Sequence, residues 1–186
     1  MNTSKCYQRN STERLRDSYL SILLALLLAM VCIASPISAT ATERLAVLPF
    51  EIVDNTPVPG GEERNSEMLD KLTRFIAKAI EAEGLYQVVP QATVNEAVEA
   101  AALGTYIHSC NQCEYDLAKQ LASDKVMVGW IYKMSILILT MHIEIKDVAS
   151  QQTVISKAYD FRGDNEKAWL RAAEYMVRDL SQMIAH

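Results

Sequence analysis

Cys110 and Cys113 carry the most reactive side chains outside the N-terminal segment, and two residues separate them in the run His108-Ser-Cys110-Asn-Gln-Cys113-Glu114. A thiol pair at this spacing has three uses. In an exported chain the ordinary outcome is a structural disulfide. The loop it closes is so short that the chain-entropy argument gives about 2 kcal/mol, so the bridge would staple the entry to a helix and leave the fold to other forces. The second use is a thiol-disulfide redox couple, since a helix N-terminus lowers a thiol pKa. Against it, thioredoxin-type proteins place the pair after an early strand, and Glu114 would disfavour a neighbouring thiolate. The third use is a metal site in which His108, Cys110 and Cys113 act as ligands and Glu114 or His142 completes the set, although no second Cys or His pair is close in sequence. Covalent haem is excluded on this motif, because Glu114 stands where the attachment sequence needs histidine. His108 and His142 are the internal histidines, which leaves little material for a Ser-His-Asp triad. No catalytic residue is assigned and no cofactor is implied.

The compartment follows from the first forty residues. Lys5, Arg9, Arg14 and Arg16 precede the 15 uncharged residues Leu20 to Ala34, and Pro36 and the small residues Ser38 to Ala41 come next. That order is the basic, apolar and cleavage regions of a secretory signal peptide, cleaved after Ala41 or Ala39. The apolar run is shorter than the ~20 residues of a spanning helix. A lipid anchor at Cys32 is disfavoured by Met30 and Val31, where small residues are wanted. Residues 1–41 are therefore read as a signal peptide and 42–186 as a single domain that is periplasmic or secreted, with no stable membrane span.

Removing 1–41 takes four basic and two acidic residues from totals of 18 and 23, leaving 14 and 21 and a net charge of −7. Such a surface repels phosphate backbones and anionic lipid, which argues against nucleic-acid partners.

The elements that must position the thiol pair come from periodicity. Arg44 to Phe50 reads as a buried strand with Pro49 near its end, and 54–61 as a loop rich in Pro and Gly. Met68, Leu69, Leu72, Phe75, Ile76, Ala79 and Ile80 recur every three or four residues, predicting a helix over 62–83 stopped by Gly84. A short strand over 85–89 and an alanine-rich helix over 91–103 follow. A helix over 114–123 then leads into the most apolar strand, Val126 to Met134. Trp130 and Tyr132 share a strand face with Val126 and Val128 and read as core. Residues 136–148 alternate with a period of two, their apolar front implying cover on both faces, and 153–162 complete a hairpin. His142 reads as a satisfied strand residue. Asp164 or Asn165 can cap a last helix from Glu166 to Ile184. The expected fold is α/β: a single-domain sandwich with a mixed five-stranded sheet, a C-terminal antiparallel meander and packed helices.

Two resemblances attach to these residues. AVLPF (46–50), the strand ending before Pro90, VMVGWIYK (126–133) and the hairpin DVASQQTV (147–154) resemble the N-terminal domain of TolB and the related CsgG and LpoB periplasmic domains. That resemblance implies a non-enzymatic protein that binds partners in the cell envelope. ERLAVLPFEIVD (43–54), CNQCEYDLAKQLASDKVMVGW (110–130) and SILILTMHIEIKDVAS (135–150) together resemble an uncharacterised family of secreted bacterial proteins with no established activity. The functional expectation is a periplasmic, non-enzymatic protein that binds an envelope or periplasmic protein through loop 54–61 and exposed sheet or helix surface. The alternatives are a redox protein using Cys110 and Cys113 and a metal-binding protein using His108, Cys110 and Cys113.

Overall fold

The densest apolar strand of the chain lies inside the sheet, with neighbours on both edges. The computed structural model describes residues 42–184, so the signal peptide assigned to 1–41 lies outside the described residues. The elements run β1 (Arg44–Val47), β2 (Glu51–Asp54), α1 (Gly61–Ala82), β3 (Gln87–Val88), α2 (Gln91–Ala101), a 3-10 turn (Ile107–Ser109), α3 (Cys113–Gln120), β4 (Lys125–Lys133), β5 (Ile138–Asp147), β6 (Gln152–Arg162) and α4 (Glu166–Ile184). The strand order is β3-β1-β4-β5-β6, with β2 also paired to β4. Pairs among β1, β2, β3 and β4 are parallel, and β4-β5-β6 is the antiparallel meander. The mixed α/β class is as the periodicity implied.

The sheet has six strands, one more than expected. The sixth exists because the first strand continues past Pro49. Val47 lies opposite Met127 and Glu51 opposite Trp130, so Leu48, Pro49 and Phe50 face only Val128 and Gly129. This is a bulge, and proline suits it because the ladder is already interrupted there. Phe50 fills the bulge, its ring lying so close over Gly129 that a side-chain carbon at 129 would overlap it. The extra residue also resets the side-chain alternation. Leu45 and Val47 share one core with Phe50, whereas Ala46 and Leu48 belong to the other. Glu51 is thereby turned to the face that carries Trp130.

One core lies between the sheet and the two long helices. Met127, Ile131, Met141 and Ile143 meet Leu72, Ile76 and Ile80 of α1 and Trp169, Met176 and Leu180 of α4. Each such side chain contributes about 1.5–3 kcal/mol by leaving water. The second core is smaller. Ala46, Leu48, Val126 and Val128 pack on α2, the 3-10 turn and α3. Gly84, at φ +66, ends the last turn of α1 as expected. Asn165 is the residue that caps α4, its Oδ1 accepting from the Ala168 N–H at 3.1 Å.

The apolar front of the fourth predicted strand is not covered on both faces. β5 begins only at Ile138, and the residues before it form a turn in which the N–H groups of Met134 and Ser135 donate to the Ile138 carbonyl. Met134, Ile136, Leu137 and Ile138 are 55, 60, 64 and 46% exposed. Alternation could not reveal this, because it reports which residues share a face and not whether anything covers that face.

Candidate functional site

Beyond Val128 the second face of the sheet is open, and its side chains form cross-strand rows. One row is Glu51, Trp130, His142 and Ala158; the next is Val53, Tyr132, Thr140 and Asp160. The Glu51 carboxylate accepts the N–H groups of Ile107 and His108 at 2.6 and 3.0 Å and pairs with His108 Nδ1 at 2.7 Å. These contacts to a carboxylate are charge-assisted and hold the 3-10 turn against the sheet. The His108 ring thus stacks on Trp130 at 5.0 Å, and Trp130 stacks on His142 at 4.8 Å with its plane within 6°. Tyr106 extends the stack beyond His108 at 5.3 Å. Burial against the sheet pushes the His142 imidazole below its ordinary pKa, outweighing the opposing pull of Asp160 and Glu144, and the nearby His108 adds to the depression. In the second row Asn55 donates to the Tyr132 hydroxyl at 2.7 Å, and Thr140 donates to Asp160 at 2.7 Å. Trp130 and Tyr132 are half-buried on this surface and do not sit inside the core, a correction to the sequence reading.

Cys110 and Cys113 are bonded to each other, with their α-carbons 5.9 Å apart. The bridge joins the turn carrying His108 to the first residue of α3, and Gln112 between them takes a left-handed φ of +79. The residues named for a metal site do not converge. The sulfurs are used by each other and His108 Nδ1 by Glu51. Glu114 is buried and accepts from Lys146 at 2.8 Å, and His142 stacks on Trp130 from the neighbouring strand β5. Among the described residues no group of three or more His, Cys, Asp or Glu side chains could hold a metal ion. The redox alternative rests on the bridge alone.

Sequence reasoning missed a buried ionic cluster. Lys133, at the end of β4, is fully buried and meets Asp54 and Asp164 at 2.9 Å each. Asp164 also meets Arg64 at 2.7 Å, and Asp54 accepts from Asn65 and from the Thr56 N–H. Burial by itself would lower the Lys133 pKa, but the hydrogen bonds and charges of Asp164 and Asp54 outweigh it, and the net shift is upward. Burial likewise works to raise the Asp54 pKa and is outweighed by Lys133 and Thr56, so the carboxyl ends below its ordinary value. The cluster pins the ends of β2 and β4, the start of α1 and the loop before α4. The available cue was a lysine in phase with Met127 and Ile131 on a buried face.

The DUF3280 family, described as "Protein of unknown function (DUF2380)", matches residues 43–180. The chain belongs to this family. Comparison with curated protein sequences returned no match. Among solved structures, the fold is similar to the C-terminal domain of LpoB from Salmonella enterica, at 14% identity and TM-score 0.46 over 67% of this chain and 85% of that one. Lipoprotein GNA1162 from Neisseria meningitidis is similar at 18% identity and TM-score 0.49 over 77% and 97%. TolB from Acinetobacter baumannii is similar at 13% identity and TM-score 0.41 over 75% of this DUF3280 chain and 29% of TolB. Among the described residues no helix is long and apolar enough to cross a membrane.

Proposed function

We propose that the protein is a non-enzymatic binding domain of the cell envelope, exported by a signal peptide over 1–41, which engages a periplasmic or envelope protein. The observation that carries this reading is the exposed apolar turn of Met134, Ile136, Leu137 and Ile138, which continues into the open sheet face of Tyr132, Trp130 and His142. Contiguous exposed apolar side chains on a soluble domain mark an interaction surface, and tryptophan and tyrosine beside them are the side chains that most often anchor one. The acidic balance of the chain favours a protein surface over anionic lipid. In this reading the Cys110–Cys113 bridge is structural and keeps the His108 turn in place.

The test is crosslinked pull-down from a periplasmic extract with the wild-type protein and with Ile136→Ser combined with Leu137→Ser. A specific partner recovered by the wild type and lost in the folded variant supports the reading. Equal recovery by both proteins, or no partner at all, overturns it. N-terminal sequencing of the exported protein should begin at Thr42 or Thr40, and an intact Met1 would refute cleavage.

A further inference from the structure

The first half of α1, strand β2 and helix α2 enclose a groove of about 620 Å³, lined along one side by Ile52 and Asp54. β2 is bonded to β4 on one edge only, and its other edge borders this groove. The Asn55 N–H points inward, donating to the Lys133 carbonyl at 3.1 Å, while the Phe50 N–H points outward, donating to Thr73 Oγ1 at 3.0 Å. By strand alternation the N–H and C=O of Ile52 also point outward. Among the described residues no strand pairs with that edge.

Two further observations say what the groove lacks. Asn65, 5% exposed, lines it; its amide N–H donates to Asp54 at 3.3 Å, while its Oδ1 is buried without a partner. A buried acceptor left open costs about 1–3 kcal/mol unless something donates to it. The lining also holds the carboxylates of Glu62, Asp70 and Glu99 and no lysine, arginine or histidine. Asp70 is paired with Arg74, whereas Glu62 and Glu99 are exposed and form no salt bridge among the described residues. The site therefore offers acceptors and negative charge beside an unpaired strand edge. Leu69 and Val98 supply apolar wall between them.

We propose that this groove receives an extended, basic segment of a partner protein, added as a further strand on β2. Its backbone pairs with Ile52, and its lysine or arginine side chains meet Glu62 and Glu99 and supply the donor that Asn65 Oδ1 lacks. Main-chain pairing at a free edge gives such additions their affinity, and flanking side chains give them selectivity. The inference deepens the partner-binding reading at a surface separate from the 134–138 turn, so the two can fail independently.

The test uses the full chain as exported and a fluorescent octapeptide alternating valine and lysine, followed by polarisation. The expected result is saturable binding that weakens with added salt. Glu62→Lys combined with Glu99→Lys should weaken it about tenfold or more with an unchanged circular dichroism spectrum. N-methylation of alternate peptide amides, which leaves the protein untouched, should weaken it by a similar factor. Ile136→Ser combined with Leu137→Ser should leave it unaltered. No binding at millimolar peptide overturns the proposal, as does equal binding of a valine–glutamate octapeptide or indifference to N-methylation. A homodimer that occupies the groove and dissociates on the Glu62→Lys and Glu99→Lys exchange would also overturn it.

Discussion

Two faces of one sheet are treated differently in this molecule. On the first, every second residue of β4 from Met127 to Lys133 is buried: Met127 and Ile131 under α1 and α4, Gly129 under Phe50, and Lys133 against Asp54 and Asp164. On the second, sealing by α2 and α3 stops at Val128, and Trp130 and Tyr132 lie half open beyond it. Helix length accounts for the difference. α1 and α4 have 22 and 19 residues, about 33 and 28 Å, enough to run the length of a nine-residue strand. α2 and α3 have 11 and 8 residues, about 16 and 12 Å, enough for half of it. The uncovered half is where the imidazole–indole stack stands. At the end of β4 on the sealed face, the fully buried Lys133 is matched by two carboxylates.

The contrast can be broken most directly at its two tryptophans. Trp169 is 1% exposed in the sealed core, and Trp169→Ala should cost about 4 kcal/mol in urea unfolding. Trp130→Ala on the open face should cost about 1 kcal/mol, since water already reaches that side chain. Equal losses would mean that the open face is sealed by something else. Lys133→Met should cost about 3 kcal/mol, because it leaves Asp54 and Asp164 without their shared cation. The pKa of Lys133 is higher in the folded protein, so its contribution is full below the unfolded value and is lost as pH rises through the folded one. The variant should accordingly lose less stability than the wild type above about pH 10. Gly129→Ala should cost about 2 kcal/mol by driving Phe50 out of the bulge. Weaker Trp130–His108 contacts in its NMR spectra would tie the bulge to the open face.

Smaller effects sharpen the picture at the rim. Cys113→Ala should lower stability by no more than about 2 kcal/mol, with the fold retained. Complete unfolding would show that the bridge holds more than the His108 turn. The smallest effect concerns protons. His142 has a folded pKa below its unfolded one, so the unfolded chain takes up the proton first and stability falls as pH drops through the region of 6.5. His108, Glu144 and Asp160 are the titratable groups that act on the ring. His142→Gln should reduce the difference in melting temperature between pH 7.5 and pH 5.5. An unchanged difference would place the titrating group elsewhere.

Much of the fold could be read from local pattern. The stripe from Met68 to Ile80 and the alternation through 139–145 each report a single element's own geometry, and both elements are where the pattern put them. β2 escaped because Pro49 reads as the end of a strand, whereas here it lies inside a bulge after which pairing resumes. The candidate surface escaped for a different reason. His108 and Glu51 are 57 residues apart, and Lys133 is 79 from Asp54. No periodicity links positions at such separations.

By itself the sequence determined the types of the longer elements, the apolar stripe of each helix and the thiol pair three positions apart, since these depend on neighbours within a turn or a strand. Only the tertiary structure decided which face of the sheet stays open and which side chains meet there. One extra residue at 48–50 turns Glu51 toward Trp130, and two short helices stop halfway along β4. Both are matters of phase and length between distant segments, and those are settled only when the segments pack.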